Sequence, residues 1–158
     1  MASPQELADQ YLAGAEQVRA AVAGMTREQL AARPVANKWS TLEVVCHISD
    51  FESVLADRMK RIIALASEVP LLMSADETLF AQELGYNQRD AEEELALIEA
   101  TRRQMARIIR GLTPEQLQRT GNHNKRGLQT LERVIQLAIN HIPHHLTFIG
   151  EKRKALEA

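Results

Sequence analysis

The sequence predicts an all-α protein built as a four-helix bundle, and three observations predict it. Apolar residues recur at a period near 3.6 in four separate stretches. Glycine and proline are confined to a few places, and no sustained apolar–polar alternation marks a strand. Capping signals stand before the stretches, where helix starts need them.

The first helix is expected over residues 3–23, with Leu7, Tyr11, Gly14, Val18 and Val22 on one stripe. Its start, Ser3-Pro4-Gln5-Glu6, offers an N-cap serine, proline at the first helical position and a glutamate that closes a capping box. The second, 40–66, carries Val44, His47, Phe51, Leu55 and Ile62 behind a second box, Ser40-Thr41-Leu42-Glu43. The third, 88–111, carries Leu95, Ile98, Met105, Ile109 and Leu112, with Asn87 as its expected cap. The fourth, 127–154, carries Leu131, Val134, Ala138, His141, His145 and Phe148. Gly14 and Ala138 are the small members, where a neighbouring helix can come close. The span 67–86 joins the middle two helices, with a short helix expected after Ser74. Four such stripes make one bundle domain over 1–158.

An internal echo bears on the connections. GMTREQL at 24–30 matches GLTPEQL at 111–117, where Thr113-Pro114-Glu115-Gln116 opens a short turn. Each copy is followed by a polar loop, a Thr-Leu pair (Thr41-Leu42 and Thr130-Leu131) and a helix carrying histidine. Two helix pairs related by a pseudo-two-fold, joined by a long crossover, give this pattern.

The formal net charge of −2 and the lack of a basic stripe with interleaved aromatics argue against nucleic-acid binding. No stretch reaches the length of a membrane-spanning helix, and MASPQELADQ has neither the basic head nor the apolar run of a secretory signal. The single cysteine, Cys46, excludes an intrachain disulfide and suits a reducing cytoplasm, with Cys46 itself as a small apolar filler.

The candidate chemistry lies in INHIPHH, 139–145. His141 and His145 are four apart, so both imidazoles share one helix face. Two neutral imidazoles there can share a divalent ion. His47 likewise replaces an apolar residue in its stripe. If the two faces meet, three histidines converge and leave coordination positions open, as catalysis at zinc, nickel or iron requires. The competing reading is a metal-free core cluster. His144 lies beside the pair, and His123, in the polar loop NHNKRG, is expected to be exposed. Pro143 removes a helical N–H, frees the Ile139 carbonyl and should kink the helix. The absence of HEXXH, of Glu-x-x-His and of further cysteines excludes an ordinary zincin, a di-iron carboxylate bundle and a structural zinc knuckle.

WSTLEVVCHISD (39–50) resembles the first signature of the DinB-like superfamily, and NKRGLQTLERVIQLAINHIPHHLTFI (124–149) resembles its second, with a basic-Gly-x-x-Thr-Leu element followed by H-x-x-H-H. The resemblance implies an up-down-down-up four-helix bundle with a long crossover between the second and third long helices. It implies a divalent metal, often nickel or zinc, held by three histidines that fall here on His47, His141 and His145, and frequent homodimers. Its leading implication for function is a metal-dependent enzyme resembling the thiol-dependent S-transferases, with a low-molecular-weight thiol as cosubstrate and a small-molecule electrophile; metal-dependent hydrolysis is an alternative. A non-catalytic role, in which the metal braces a stress-associated or regulatory bundle, is the other alternative. Asp50, one turn beyond His47, and His144 are the candidate catalytic residues. Arg126 is a candidate for holding an anionic substrate group. Trp39, Ser40 and Glu43 read as structure, and Cys46 lies about 100° around its helix from the His47 face.

Overall fold

The structure, a computed structural model, describes residues 2–157. Four long helices build it: α1 (Pro4–Val22), α3 (Thr41–Ala64), α5 (Ala91–Arg110) and α6 (Leu131–Glu157). The short helices α2 (Arg27–Ala31) and α4 (Glu77–Glu83) lie in the connections, α4 within the crossover after Ser74. Around the bundle, α1 and α3 each pack against both α5 and α6. Polar pairs fix the directions. Arg110 meets Asp9 while Arg19 meets Glu92 and Glu99, so α1 and α5 are antiparallel. Arg102 meets Glu52 and Lys60 meets Gln104, so α3 and α5 run the same way. Arg153, late in α6, donates to the carbonyls of Ala21 and Ala23, at the C-terminal end of α1.

The capping boxes at Ser3–Glu6 and Ser40–Glu43 form as the sequence predicts. The echo also has a physical form. Thr26 with Gln29, and Thr113 with Gln116, make the same reciprocal pair of side-chain-to-backbone bonds. In the first copy the box opens α2; in the second it opens a turn of 3₁₀ helix, Gln116–Gln118. Ser40 caps α3, whereas Thr130 itself accepts from the Arg133 N–H at the start of α6.

Three expectations need correction. Residues 127–130 are not helical: Gly127–Thr130 is a strand, β3, paired antiparallel with β2 (Thr120–His123), which in turn pairs parallel with β1 (Leu71–Leu72). Strands of two to four residues are too short to show an alternating pattern. At the hairpin, Gly127 has φ +71°, a conformation that favours glycine. Asp90, not Asn87, caps α5, its Oδ1 accepting from the Glu92 and Glu93 N–H groups. Asn87 instead ties the crossover to α3 and α2, accepting from Ser40 Oγ and donating to the Ala31 carbonyl. His123 is buried, not exposed. It lies on β2, between β1 and β3, and its Nδ1 accepts from the Lys125 N–H.

The apolar core falls into two clusters. One gathers Leu7, Tyr11, Leu55, Met59, Met105, Ile109 and Val134; the other gathers Val18, Leu42, Val45, Ile48, Leu95, Ile98, Ile142 and Ile149. Along each helix they are separated at one level, by Gly14, Glu52, Arg102 and His141. The polar chemistry of the bundle sits at and just beside that level.

Candidate metal centre

His47 comes from the second turn of α3, and His141 and His145 from the middle of α6. The three side chains meet. His47 Nε2 lies 3.1 Å from His141 Nε2 and 3.0 Å from His145 Nε2. His47 and His145 are buried; His141 is partly exposed. Trp39 walls the His47 ring at 5.4 Å between centroids and Phe51 lies against it at 4.4 Å. Burial first, and then the charge that neighbouring histidines would carry, hold all three rings far below the ordinary histidine range. His47 and His141 are pushed down to about 3 and His145 to about 4. Neutral imidazoles keep their lone pairs for a ligand.

The residues fit a divalent ion. Two nitrogens 3.0–3.1 Å apart can both sit about 2.0–2.1 Å from one zinc-class ion. The Nε2 lone pairs all point to one place, and each Nδ1, on the other side of its ring, is buried without a partner among the described residues. Three imidazoles suit zinc, nickel or iron.

The cluster opens onto a cleft of about 440 Å³. Beyond the histidines its walls include Phe51, Leu55 and Leu137, with Arg58 and Arg126 also on the lining. Glu77, at the start of α4, brings Oε2 to 3.8 Å from His47 Nε2 and is largely exposed. Sequence reasoning missed Glu77, because only the path of the crossover carries it there. It missed Arg58 as well, although Arg58 stands three turns below His47 on the same helix.

The other candidates are placed as follows. His144 is exposed at the rim, its ring 5.0 Å from that of His145. Asp50 is not hydrogen-bonded to a histidine: both its oxygens accept from Arg89, at 3.0 Å each, and Arg89 also binds Glu94. Arg126 reaches the cleft from the β2–β3 hairpin. Pro143 sits on an exposed face of α6, which continues through it as one helix. Cys46 is fully buried beneath the Tyr86 carbonyl, and burial pushes its thiol up to about 12. Ser40 and Glu43 hold the helix cap, with Glu43 also gripped by Arg33.

The profile of the DinB superfamily matches residues 10–149. This chain belongs to the DinB superfamily. A protein of Oceanobacillus iheyensis, provisionally named a metal-dependent hydrolase, is 30% identical over 135 residues, 84% of this chain and 77% of that protein. A second, from Halalkalibacterium halodurans and named in the same way, is 29% identical over 115 residues, 73% of this chain and 66% of its own. In fold the chain is similar to YfiT from Bacillus subtilis, described as having an unusual four-helix bundle topology. The TM-score is 0.89 at 23% identity, covering 98% of this chain and 87% of YfiT. Among the described residues no helix is long and apolar enough to cross a membrane.

Proposed function

We propose that this DinB-superfamily protein is a metal-dependent hydrolase of a small molecule, with His47, His141 and His145 holding one divalent ion and Glu77 serving the attacking water. The observation that supports it most is the convergence of three neutral Nε2 atoms at the wall of an open cleft. A bracing site is closed by a fourth protein ligand or by apolar packing, and this one faces a cavity. Bound there, a divalent ion would supply Lewis acidity and make a water acidic near neutral pH.

The chain's own groups then divide the work. Glu77, exposed and within 4 Å of His47 Nε2, is placed to take a proton from water and return it to a leaving group. His144, at the rim, is a second proton carrier within the same cleft. Trp39 and Phe51 hold the His47 ring in place and keep water from its flanks. Thiol-dependent S-transfer, which the resemblance also implies, would use the same ion with a low-molecular-weight thiol in place of water. The relatives' names and the carboxylate beside the histidines favour water. Cys46 serves neither reading as a nucleophile, being buried and protonated.

Elemental analysis of untagged protein should find about one divalent ion per chain. Glu77→Gln should keep that ion and lose activity by about 10²–10⁴-fold. If Glu77→Gln leaves activity whole, the base is misassigned. If glutathione or bacillithiol shifts the absorption of the cobalt form and is consumed with an electrophile, transfer replaces hydrolysis. A homodimer, which the resemblance implies, is tested by light scattering against the 17.7 kDa chain mass.

A further inference from the structure

The cleft is graded along its length. On α3 its wall runs His47, Phe51, Leu55, Arg58, one stripe descending three turns. Eleven residues at 1.5 Å each set the backbone of Arg58 about 16 Å from that of His47 along the axis. The floor between is mainly apolar, Phe51 and Leu55 of α3 and Leu137 of α6, with Asn140 on the same lining. Arg126 approaches the same cleft from the hairpin.

Neither arginine has a carboxylate within salt-bridge distance among the described residues. Arg58 Nη2 donates to the Met73 carbonyl, but its Nε is buried and unpartnered. The Arg126 side chain makes no hydrogen bond or ion pair among the described residues. Arg89, also half-buried, is held by two carboxylates, Asp50 and Glu94, while Arg119 and Arg153 bind backbone carbonyls alone. Burial and the charge of Arg126 both disfavour the charged form of Arg58, and the same two arginines act together on His123. Two cations kept close, one of them partly desolvated, cost free energy unless an anion completes them. The carboxylate in the cleft, Glu77, is at the histidine side.

We propose that Arg58 and Arg126 form an anion subsite that selects an elongate substrate. Its oxyacid group, carboxylate or phosphate, binds the two guanidinium groups. Its apolar segment lies over Phe51, Leu55 and Leu137, and its reactive bond reaches the histidines. This names the substrate class for the hydrolase reading and rests on it for the position of the reactive bond. The anion subsite itself needs no metal. The cavity volume suits a small organic acid of this kind.

Calorimetric titration of metal-free and metal-loaded protein with hexanoate, hexanamide and hexyl phosphate tests it. Hexanoate or hexyl phosphate should bind and hexanamide should bind at least about tenfold more weakly, the loss expected for a charge-assisted contact. Whichever of the two acids binds more tightly identifies the acid group. Arg126→Gln, an exposed hairpin change that leaves the Arg58–Met73 contact intact, should weaken the acid about tenfold and leave hexanamide unchanged. Arg58→Gln should do the same if its helical spectrum is native. Equal binding of acid and amide, no acid binding at all, or acid binding indifferent to Arg126→Gln in folded protein overturns the subsite. These results are independent of the Glu77→Gln assay. Arginine-dependent binding without any hydrolysis would leave the subsite standing and remove the hydrolase reading. Hydrolysis of acidic and neutral esters alike, unchanged by Arg126→Gln, would do the reverse.

Discussion

Two buried polar clusters stand side by side in this bundle, and they are finished differently. At the level between the two apolar clusters, the fully buried Arg102 donates to Glu52, to the Tyr11 carbonyl and to the Ala138 carbonyl, and stacks over the Tyr11 ring. The Tyr11 hydroxyl donates to the other Glu52 oxygen at 2.8 Å, leaving Nε of Arg102 as the unpartnered polar atom of the group. At that level and just beside it, His47, His141 and His145 turn their Nε2 atoms toward one another and leave every Nδ1 without a partner among the described residues. The first cluster spends all but the one polar atom, Arg102 Nε, on groups of the four helices and is sealed. The second keeps its capacity unspent and faces a cleft. A network that satisfies itself specifies how helices dock; one that does not is poised for something from outside the chain.

The largest effect that separates them is loss of metal. The double variant His47→Ala, His145→Ala should lose more than about 100-fold in metal affinity, beyond the loss typical of removing a ligand's outer partner. Its far-UV helical signal should stay native, because the sealed cluster is intact. Stoichiometric metal in that variant would show that the ligand set is wrong. Arg102→Leu should act in the opposite way. Removing one member of a buried pair strands Glu52, at a cost of about 3–5 kcal/mol in urea unfolding, while the folded fraction still takes up metal. Adding Glu52→Leu should recover part of that loss, since no charge is then left buried and unpaired.

The difference between the clusters also explains what the sequence revealed. Both are on the apolar stripes, but only histidine is conspicuous there. His47, His141 and His145 stand out at helical spacing among Val, Ile and Leu, and the four long helices follow from the same period. Arg102 and Glu52 look like surface residues in a charged helix, because nothing local distinguishes a guanidinium that points inward. Gly14 was legible only as a small residue; the structure shows it as the space Arg102 occupies, where a Cβ would meet the Arg102 side chain. Glu77 and the sheet were hidden for another reason. They depend on where the crossover passes, and β1 pairs with a strand some 50 residues later, a contact that no periodicity encodes.

Gly14→Ala sharpens the comparison at smaller amplitude. The new methyl must displace Arg102 or Ile142, costing about 1–3 kcal/mol in thermal or urea unfolding. Metal content should not change, although His141 and Ile142 are neighbours on α6. A loss of metal here would mean that the two clusters are mechanically coupled.

The smallest effect concerns Asp50, which lies between the two types. Its charge favours protonation of His47 through space, but its hydrogen bonds go to Arg89, which also bridges to Glu94 on α5. By position it belongs to the histidines; by contact it belongs to a self-satisfied network. Asp50→Asn keeps the shape and removes the charge, so it weakens the Arg89 clamp while Glu94 still holds the guanidinium. We expect a loss of about 1–2 kcal/mol in urea unfolding and undiminished metal stoichiometry. If Asp50 orients His47 for binding, the outcome differs: the variant should remain folded yet take up metal more weakly, by the 10–100-fold typical of an outer partner of a metal-bound histidine. A chelator competition on the folded variant separates the two, because the Arg89 clamp contributes to unfolding free energy and not to the affinity of the folded site.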